Sequence, residues 1–468
     1  MTFSAIFANS LAGISAASFR AEILSFNIAN ANTEGFARRS VNLQSVTPGG
    51  VRVIDVEAAD AGREELRLLA AHTNAAGAEV RADALRALNV ELGEPGDPNG
   101  LYAVFTRFEE ALADLRLTPE SGAGQLAYLR AAEDVTQAFA RVDSAAQNMR
   151  LDADRAIGAT VTRINDALVE LQSLNEQANR PVGPGADNIA ERQRSLLTEI
   201  AQALDVNIQG EVGSALTIRT AGGILLLGER ANSIDFTPAG SASFELTLAN
   251  GDFSGLSVNG LDITPGSRQG VREGSLAGQF AVRDVLGQDL ATRLDVAAAD
   301  LADRSQSVEL VSSPGLFILQ TGTSSAAQRI AVNPLADPDQ GGELFRLRDG
   351  MSATVPGDAA GQGILADWQS ALEELRVLTL ATNTPQPVSF RDALGGIATA
   401  QATAALRADG LGETATAAVD VLSTDVARIV GVDTDQELQE LLLVEQAFAA
   451  NARVVQVADD MLATLLEL

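Results

Sequence analysis

Cysteine and histidine, which often carry catalysis or bind metals, are nearly absent from this chain of 468 residues. It contains no cysteine, which excludes disulfides, thiolate zinc sites, iron–sulfur clusters and cysteine nucleophiles. Its one histidine is His72, whereas a zinc site of the HExxH type needs two. A Ser-His-Asp triad would have to use His72 as its base, but the surrounding Leu-Leu-Ala-Ala-His-Thr is typical of a plain helix.

Loops that bind phosphate or calcium are missing as well. The chain has no lysine, so it cannot form a GxxxxGK[ST] loop. The acidic segment 433–437 begins like a calcium loop, but Leu438 stands where that loop requires glycine and Val444 where it requires glutamate. Neighbouring acids such as Glu109 and Glu110 do not face each other on a helix, so they are weak acid–base pairs. The sequence therefore predicts no enzyme, no metal site and no cofactor.

The net charge restricts the possible partners. The chain holds 33 Lys+Arg and 62 Asp+Glu, a formal net charge of −29. Nucleic acid and anionic membranes would repel such a chain, so we expect neither as a partner. The longest aliphatic run, Ile224 to Leu227, is far too short for a membrane span. The N-terminus lacks the basic stretch and long apolar core of a cleaved signal peptide.

An apolar helix is predicted at the start of the chain. From Phe3 to Ile28 there is no proline and one glycine. Steps of four and three residues mark a heptad seam that is apolar except at one serine. The seam consists of Phe3, Phe7, Ser10, Ile14, Ala17, Ala21, Leu24 and Ile28. A lone helix of this kind has nothing to bury its seam against, so it needs a partner.

The last segment supplies a matching helix. Thr434 as N-cap, with Glu437 three residues on, has the spacing of a capping box. One seam contains Leu441, Glu445, Phe448, Ala452, Val455, Asp459, Leu462 and Leu466. A second seam contains Leu443, Ala447, Ala450, Val454, Val457, Met461, Leu465 and Leu468. Two apolar seams indicate a helix that is contacted from two sides.

We therefore expect the two terminal helices to pair with each other and then to pack against other copies. Their charges differ in sign: residues 1–40 hold three arginines and two acids, net +1, and residues 433–468 hold eight acids and one arginine, net −7. The alternative is that both are surface helices of a globular core.

Between the ends, long helices are interrupted by a β segment. Apolar periodicity predicts helices over 63–92, 101–117, roughly fifty residues between Pro119 and Pro181, 188–204, 276–307, 364–381 and 389–430. Alternation over 216–219 and 244–248, with Asn-Gly pairs at 250–251 and 259–260, predicts strands and hairpins. A second strand-like patch covers 316–319 and 330–332.

The predicted fold class is mainly α with an inserted small β domain, in an elongated, multi-domain chain whose N- and C-terminal helices pair as a coiled coil. The predicted units are 1–35 with 433–468 for the terminal coiled coil, 36–205 with 272–310 and 361–432 for the long-helix domain, 206–271 for the β insert, and 311–360 for a small β and loop region.

A rarer motif follows the first helix. It combines Asn27-Ile-Ala-Asn30 with Asn32-Thr33-x-Gly35-Phe36 and continues to Arg38. Locally it is a helix stop, because Asn and Gly tolerate left-handed backbone and Asn and Thr side chains can satisfy free carbonyls. A second motif, Ala450-Asn451-Ala452, lies in the last helix.

These two motifs, at these two ends, resemble the bacterial flagellar axial proteins of the rod, hook and hook-associated group. Within that group, the hook-associated proteins of the hook–filament junction are the most similar. Three segments support this: Gly35 to Arg39, Gly431 to Glu437, and Gly274-Ser-Leu-Ala-Gly278 followed by Arg283-Asp284. The helical body after residue 60 also suits a junction protein, since hook and distal rod proteins turn to β-structure soon after the first helix. The sequence departs from the family in having Phe36 where tyrosine is usual and in its short β region, which implies a reduced outer domain.

The resemblance implies an axial structural subunit without catalysis. It implies self-assembly into an axial ring, with the hook protein, the second junction protein and an export chaperone at the C-terminal helix as partners. It also implies an extracellular location after flagellar type III export, without a cleaved signal peptide. The alternatives are a hook or distal rod subunit, or an extracellular coiled-coil adhesin or scaffold with a β head.

Overall fold

Helices make up most of this chain. The computed structural model describes residues 3–33, 36–46, 49–59, 61–94, 96–178, 186–241, 245–309, 313–379 and 387–466. The helices are α1 (Phe3–Ala29), α2 (Arg63–Leu92), α3 (Leu101–Leu117), α4 (Gly122–Ala178), α5 (Ala186–Ala203), α6 (Gly274–Ala281), α7 (Gly287–Ser307), α8 (Ala326–Arg329), α9 (Arg346–Asp349), α10 (Gly363–Glu373), α11 (Phe390–Val430) and α12 (Thr434–Leu466). A π-helical turn, Val282–Leu286, joins α6 to α7, and 3₁₀ turns cover Pro334–Ala336 and Pro338–Gln340.

The strands are short and form small antiparallel sheets. They are β1 (Arg39–Ser45), β2 (Val51–Ala58), β3 (Val206–Gln209), β4 (Thr217–Thr220), β5 (Leu225–Leu227), β6 (Ile234–Asp235), β7 (Ser257–Val258), β8 (Leu261–Asp262), β9 (Phe317–Leu319), β10 (Ile330–Val332), β11 (Arg376–Val377) and β12 (Pro387–Val388). The sheets pair β1 with β2, β9 with β10 and β11 with β12, and have the orders β3-β4-β5 and β6-β7-β8.

The predicted fold class is confirmed. Helices α2 and α3 have the predicted ends, and α4 is one helix of 57 residues, about 85 Å long. Asn259 and Gly260, with φ of 51° and 76°, form the predicted two-residue turn between β7 and β8. Among the described residues no helix is long and apolar enough to cross a membrane.

Three local predictions are wrong. Residues 245–248 form turns and coil, not the predicted strand, and Phe244 lies outside the described residues. The helix predicted over 364–381 ends at Glu373, because Arg376–Val377 pairs with Pro387–Val388 as a short ribbon. The hairpin β1–β2, which follows the turn after α1, was not predicted.

The first core lies around the N-terminal half of α4. The few aromatic residues concentrate there, and Phe108 contacts the rings of Tyr128, Phe317 and Trp368 with centroids 5.1, 5.4 and 6.4 Å away. Apolar side chains from α3, α7, α10 and α11 complete it. This core fixes the body from which the terminal helices extend.

A buried hydroxyl in this core gives a stability prediction. Tyr128 is fully buried, and its hydroxyl has no hydrogen-bond partner within the described part of the chain. Burial also raises the pKa of this hydroxyl above its usual value. Tyr128→Phe is therefore expected to raise the free energy of unfolding by about 1 kcal/mol, measured by chemical denaturation. Tyr102→Phe, at an exposed position, is the matched control; a loss of stability in Tyr128→Phe would contradict the prediction.

The second core joins the β insert to the C-terminal half of α4. The side-chain amide of Asn165 donates to Ile234 O at 2.9 Å and accepts from Ile234 N at 2.8 Å. Asn175 pairs with Leu216 in the same way, at 2.8 and 2.9 Å. Each side-chain amide bonds to the backbone N–H and C=O of one residue, as a neighbouring strand would. The helix therefore satisfies backbone groups at the edge of the β insert that would otherwise lack a hydrogen-bond partner. The β insert is thereby bonded along α4.

Candidate assembly interface

The terminal helices α1 and α12 pack against each other as an antiparallel pair. Ala17 and Leu24 of α1 form one apolar cluster with Val444 of α12. Farther along the pair, a Cβ added at Gly13 would lie 2.8 Å from the side-chain amide of Asn451. The glycine therefore lets the two helices approach closely at the asparagine of the C-terminal motif. Pairing of the two ends is confirmed as part of the fold.

On α1, the predicted seam is the one that faces α12. Ser10, Ala17 and Leu24 are buried, and the remaining described members are half-buried. Those half-buried members are Phe7, Ile14, Ala21 and Ile28. The side chains of Phe3 and of Leu466 in α12 lie outside the described part of the structure.

On α12, the seam that faces α1 differs from the first predicted seam by one residue at every second position. The helix buries Val444 and Ala458 against α1, whereas the predicted Glu445 and Asp459 are exposed. Leu441, Ala452 and Val455 of the predicted seam are half-buried, and Phe448 and Leu462 are exposed at its edge. An inner seam through 444, 451 and 458 keeps both carboxylates in water, which explains the shift.

The second predicted seam of α12 points away from α1. Its large apolar side chains are between 45 and 64% exposed. They are Leu443, Val454, Val457 and Met461, with Ala447 and Ala450 exposed between them. The described part of α12 therefore carries an apolar stripe that is open to solvent.

The turn motif after α1 has a local part and a long-range part. Locally, Asn30 donates from its side chain to Phe26 O at 2.9 Å, and Thr33 N donates to Asn30 O at 2.9 Å. These bonds satisfy the end of the helix, as predicted. Asn32 is exposed. Gly35 lies outside the described residues.

The long-range part centres on Asn27, which is 0% exposed. Its side chain accepts from Arg39 N at 3.0 Å and donates to Arg39 O at 2.8 Å. It also donates to Glu437 Oε2 at 2.9 Å, across 410 residues of sequence. Glu437 is itself 2% exposed, and its other oxygen lies 3.8 Å from the Arg38 guanidinium.

The start of α12 therefore differs from the predicted capping box. The Asp433 side chain, not Thr434, accepts from the backbone N–H groups of Asp435 and Gln436, at 3.0 and 3.2 Å. Glu437 does not reach back to cap the helix, because its carboxylate is committed to Asn27. Sequence reasoning missed this role of Glu437.

Aromatic rings and an arginine complete the turn. Phe36 is buried, with its ring centroid 5.6 Å from that of Phe26. The Arg39 guanidinium lies 4.5 Å from the Phe26 centroid and pairs with Glu191 of α5 at 3.5 Å. Arg20 of α1 also pairs with Glu440 of α12, at 3.1 Å. Side chains of both terminal helices and of the body thus meet at this turn.

The described residues show no group of three or more His, Cys, Asp or Glu side chains that could hold a metal ion. His72 lies half-buried on α2, and burial lowers its pKa. The arrangement around α1 and α12 contains apolar stripes, amides and ion pairs, which suit binding to protein.

Comparisons with known proteins match the C-terminal end and part of the helical body. The family model described as flagellar hook-associated protein FlgK helical domain matches residues 87–309. The model described as flagellar basal body rod FlgEFG protein C-terminal matches residues 428–468, which include α12.

Several relatives are hook-associated proteins. The chain is 24% identical over 260 residues to flagellar hook-associated protein 1 of Escherichia coli K12, covering 53% of this chain and 47% of that protein. It is 22% identical over 480 residues to flagellar hook-associated protein 1 of Bacillus subtilis 168, covering 93% and 92%. The matches to the E. coli and Salmonella typhimurium relatives, in contrast, span about half the length of those proteins.

A solved structure, the flagellar hook junction protein FlgK from Burkholderia pseudomallei, aligns with a TM-score of 0.44 and 17% identity over 54% of this chain and 46% of that one. The resemblance to the hook-associated group is confirmed: this chain is similar to the FlgK hook-associated proteins of the bacterial flagellum in its helical body, in its last helix and, for the Bacillus subtilis relative, over 93% of its length.

Proposed function

We propose that this chain forms the junction between the flagellar hook and the filament, and that it assembles through its terminal helices. The observation that carries the proposal is the outward apolar stripe of α12, defined by Leu443, Val454, Val457 and Met461. Pairing with α1 leaves these side chains in water. Burial against neighbouring copies removes that apolar surface from water, which favours assembly.

We assign different roles in assembly to the parts of the chain. The pair formed by 1–35 and 433–468 is the assembling unit, and 36–205 with 272–310 and 361–432 is the helical body that carries it. The β insert 206–271 packs on that body, and the region 311–360 contributes side chains to the first core. We assign the assembly contacts to the predicted seams of the two terminal helices, including Phe3, Phe7, Phe448 and Leu462.

The proposal extends to export and to partners. Export through the flagellar type III channel, without a cleaved signal peptide, would deliver the chain outside the cell. An export chaperone that covers α12 would keep its apolar stripe from aggregating before assembly. After assembly the neighbours would be the hook protein on one side and the second junction protein on the other.

Deletion of the gene in its own organism, followed by electron microscopy of the cell surface, tests the junction role. The expected result is finished hooks, no filaments, and filament protein shed into the medium. Normal flagella would overturn the flagellar proposal and favour an extracellular adhesin or scaffold.

A hook or distal rod subunit is the second candidate, and two observations favour it. The last 41 residues match the rod-protein model. The hairpin β1–β2 also follows the turn after α1, a feature that the sequence analysis assigned to hook and rod proteins. Against these stands the match of 87–309 to the hook-associated helical domain. Cells that lack hooks after the deletion would favour the second candidate.

A further inference from the structure

The turn motif and the start of α12 meet in one buried hydrogen-bonded unit. Asn27 and Glu437 are 0% and 2% exposed, so neither side chain has water as an alternative partner. A buried carboxylate must be matched by donors or opposite charge. The Asn27 amide at 2.9 Å and the Arg38 guanidinium at 3.8 Å supply both. The Glu437 carboxylate therefore requires a hydrogen-bond donor at the position of Asn27, and a second carboxylate there would be unfavourable.

The same unit connects the terminal pair to the body. Asn27 holds both backbone groups of Arg39, the first residue of β1. Arg38 N donates to Val430 O, the last residue of α11, at 2.7 Å. The Arg39 side chain reaches Glu191 of α5. Bonds from α1, β1, α5, α11 and α12 thus converge within a few residues.

The connection between α11 and α12 is too short and too simple to set the direction of α12 on its own. Helix α11 ends at Val430 and α12 begins at Thr434, so three residues separate the body helix from the assembling helix. Gly431, the first of them, is extended at φ −69° and ψ 161°. A short extended connection does not fix a direction by itself, whereas a buried three-way bond network does.

We propose that Asn27 and Glu437 form a latch that sets the direction in which the α1–α12 pair leaves the helical body. They are positioning residues, and they act through the contacts of Arg38 and Arg39. The inference rests on the proposed function in one respect: the α1–α12 pair is the part that enters the assembly. Its consequence is that the latch, rather than the outward stripe, aligns each body with its neighbours.

The test is a reciprocal exchange of the two partners. Asn27→Asp keeps the shape of the side chain but places two carboxylates at the 2.9 Å contact. Adding Glu437→Gln restores one amide and one carboxylate, now in exchanged positions. Asn32→Asp makes the same chemical change at an exposed position of the same motif and is the matched control.

Each variant is expressed in the deletion strain, and the fraction of cells carrying filaments is counted together with the amount of exported chain. Asn27→Asp is expected to lower the filament fraction by about tenfold or more at unchanged export, since an unmatched buried polar group disfavours the native contact by at least that factor. The double variant is expected to recover only part of the loss, because the carboxylate introduced at position 27 cannot donate to Arg39 O. Asn32→Asp is expected to resemble wild type.

Wild-type filament numbers in Asn27→Asp, or a double variant no better than Asn27→Asp, would overturn the latch. A deletion strain with normal flagella would instead overturn the proposed function. In that case hydrogen exchange of the purified full-length chain decides: amides of 437–441 protected in wild type and in the double variant, but not in Asn27→Asp, support the latch. Equal exchange in all three rejects it.

Discussion

A Val457→Asp substitution is expected to abolish assembly of this chain while leaving the monomer folded. Val457 is 55% exposed on the outward stripe of α12, so a carboxylate there costs the isolated chain little. Contact with a neighbouring copy would bury that carboxylate without a partner, at a cost of about 3 kcal/mol or more. Such a cost weakens each contact by roughly a hundredfold. Filament attachment in the complemented deletion strain measures the effect, and circular dichroism of the purified chain checks the fold.

Two neighbouring positions make this prediction specific. Gln456→Asp adds the same charge at an exposed polar position beside the stripe and is expected to assemble normally. Val444→Asp places a carboxylate at a side chain that is 4% exposed against α1, so it is expected to separate the helix pair itself. A loss of helical content in Val457→Asp as large as that in Val444→Asp would contradict the assignment of Val457 to an intermolecular surface.

The long helices were predictable because their segments contain no proline and keep one apolar periodicity throughout. Between Pro119 and Pro181 nothing interrupts the apolar periodicity, and α4 fills that interval as a single helix from Gly122 to Ala178. The hairpin β1–β2 was missed because its strands, although 7 and 8 residues long, are largely exposed, so they carry little of the hydrophobic alternation on which strand prediction depends.

The register of the helix pair was predictable only in part. Leu441, Phe448 and Val455 fit either of two seams that differ by one residue at alternate positions. The charges of Glu445 and Asp459 pointed to the seam through Val444 and Ala458, since a carboxylate in the inner seam would be buried. Asn451 made this seam harder to predict from the sequence, because it is a polar residue on the face that packs against α1. Its close contact with Gly13 explains why it lies on that face.

The latch between Asn27 and Glu437 could not be derived from spacing. Its partners lie 410 residues apart, and Glu437 also satisfies the sequence pattern of a local capping box. The Glu437 carboxylate could either cap its own helix or bond to Asn27, and in the structure it makes the buried bond to Asn27. Motif resemblance singled out Asn27, but only the structure shows what it binds.

Another segment of the family resemblance, Arg283-Asp284, lies in the π-helical turn between α6 and α7. Arg283 is 0% exposed and donates to Asp154 Oδ1 at 2.7 Å and to Asp284 Oδ1 at 2.8 Å. Its guanidinium also lies 4.8 Å from the Phe253 ring centroid. Asp154, on α4, is 0% exposed and accepts from Ala239 N at 2.6 Å. This ion pair therefore connects α4, the π-turn and the β insert inside the protein.

Arg283→Met is expected to lower the free energy of unfolding by about 3–5 kcal/mol, measured by chemical denaturation, because it leaves the buried Asp154 carboxylate without its counter-charge. Asp154→Asn combined with Arg283→Met removes both charges and keeps an acceptor for Ala239 N, so it is expected to recover much of that loss. Arg155→Met, one position from Asp154 but 63% exposed, is the control and is expected to stay within about 0.5 kcal/mol of wild type. A double variant less stable than Arg283→Met would contradict the prediction, because it would show that the Asp154 carboxylate stabilises the fold even without Arg283.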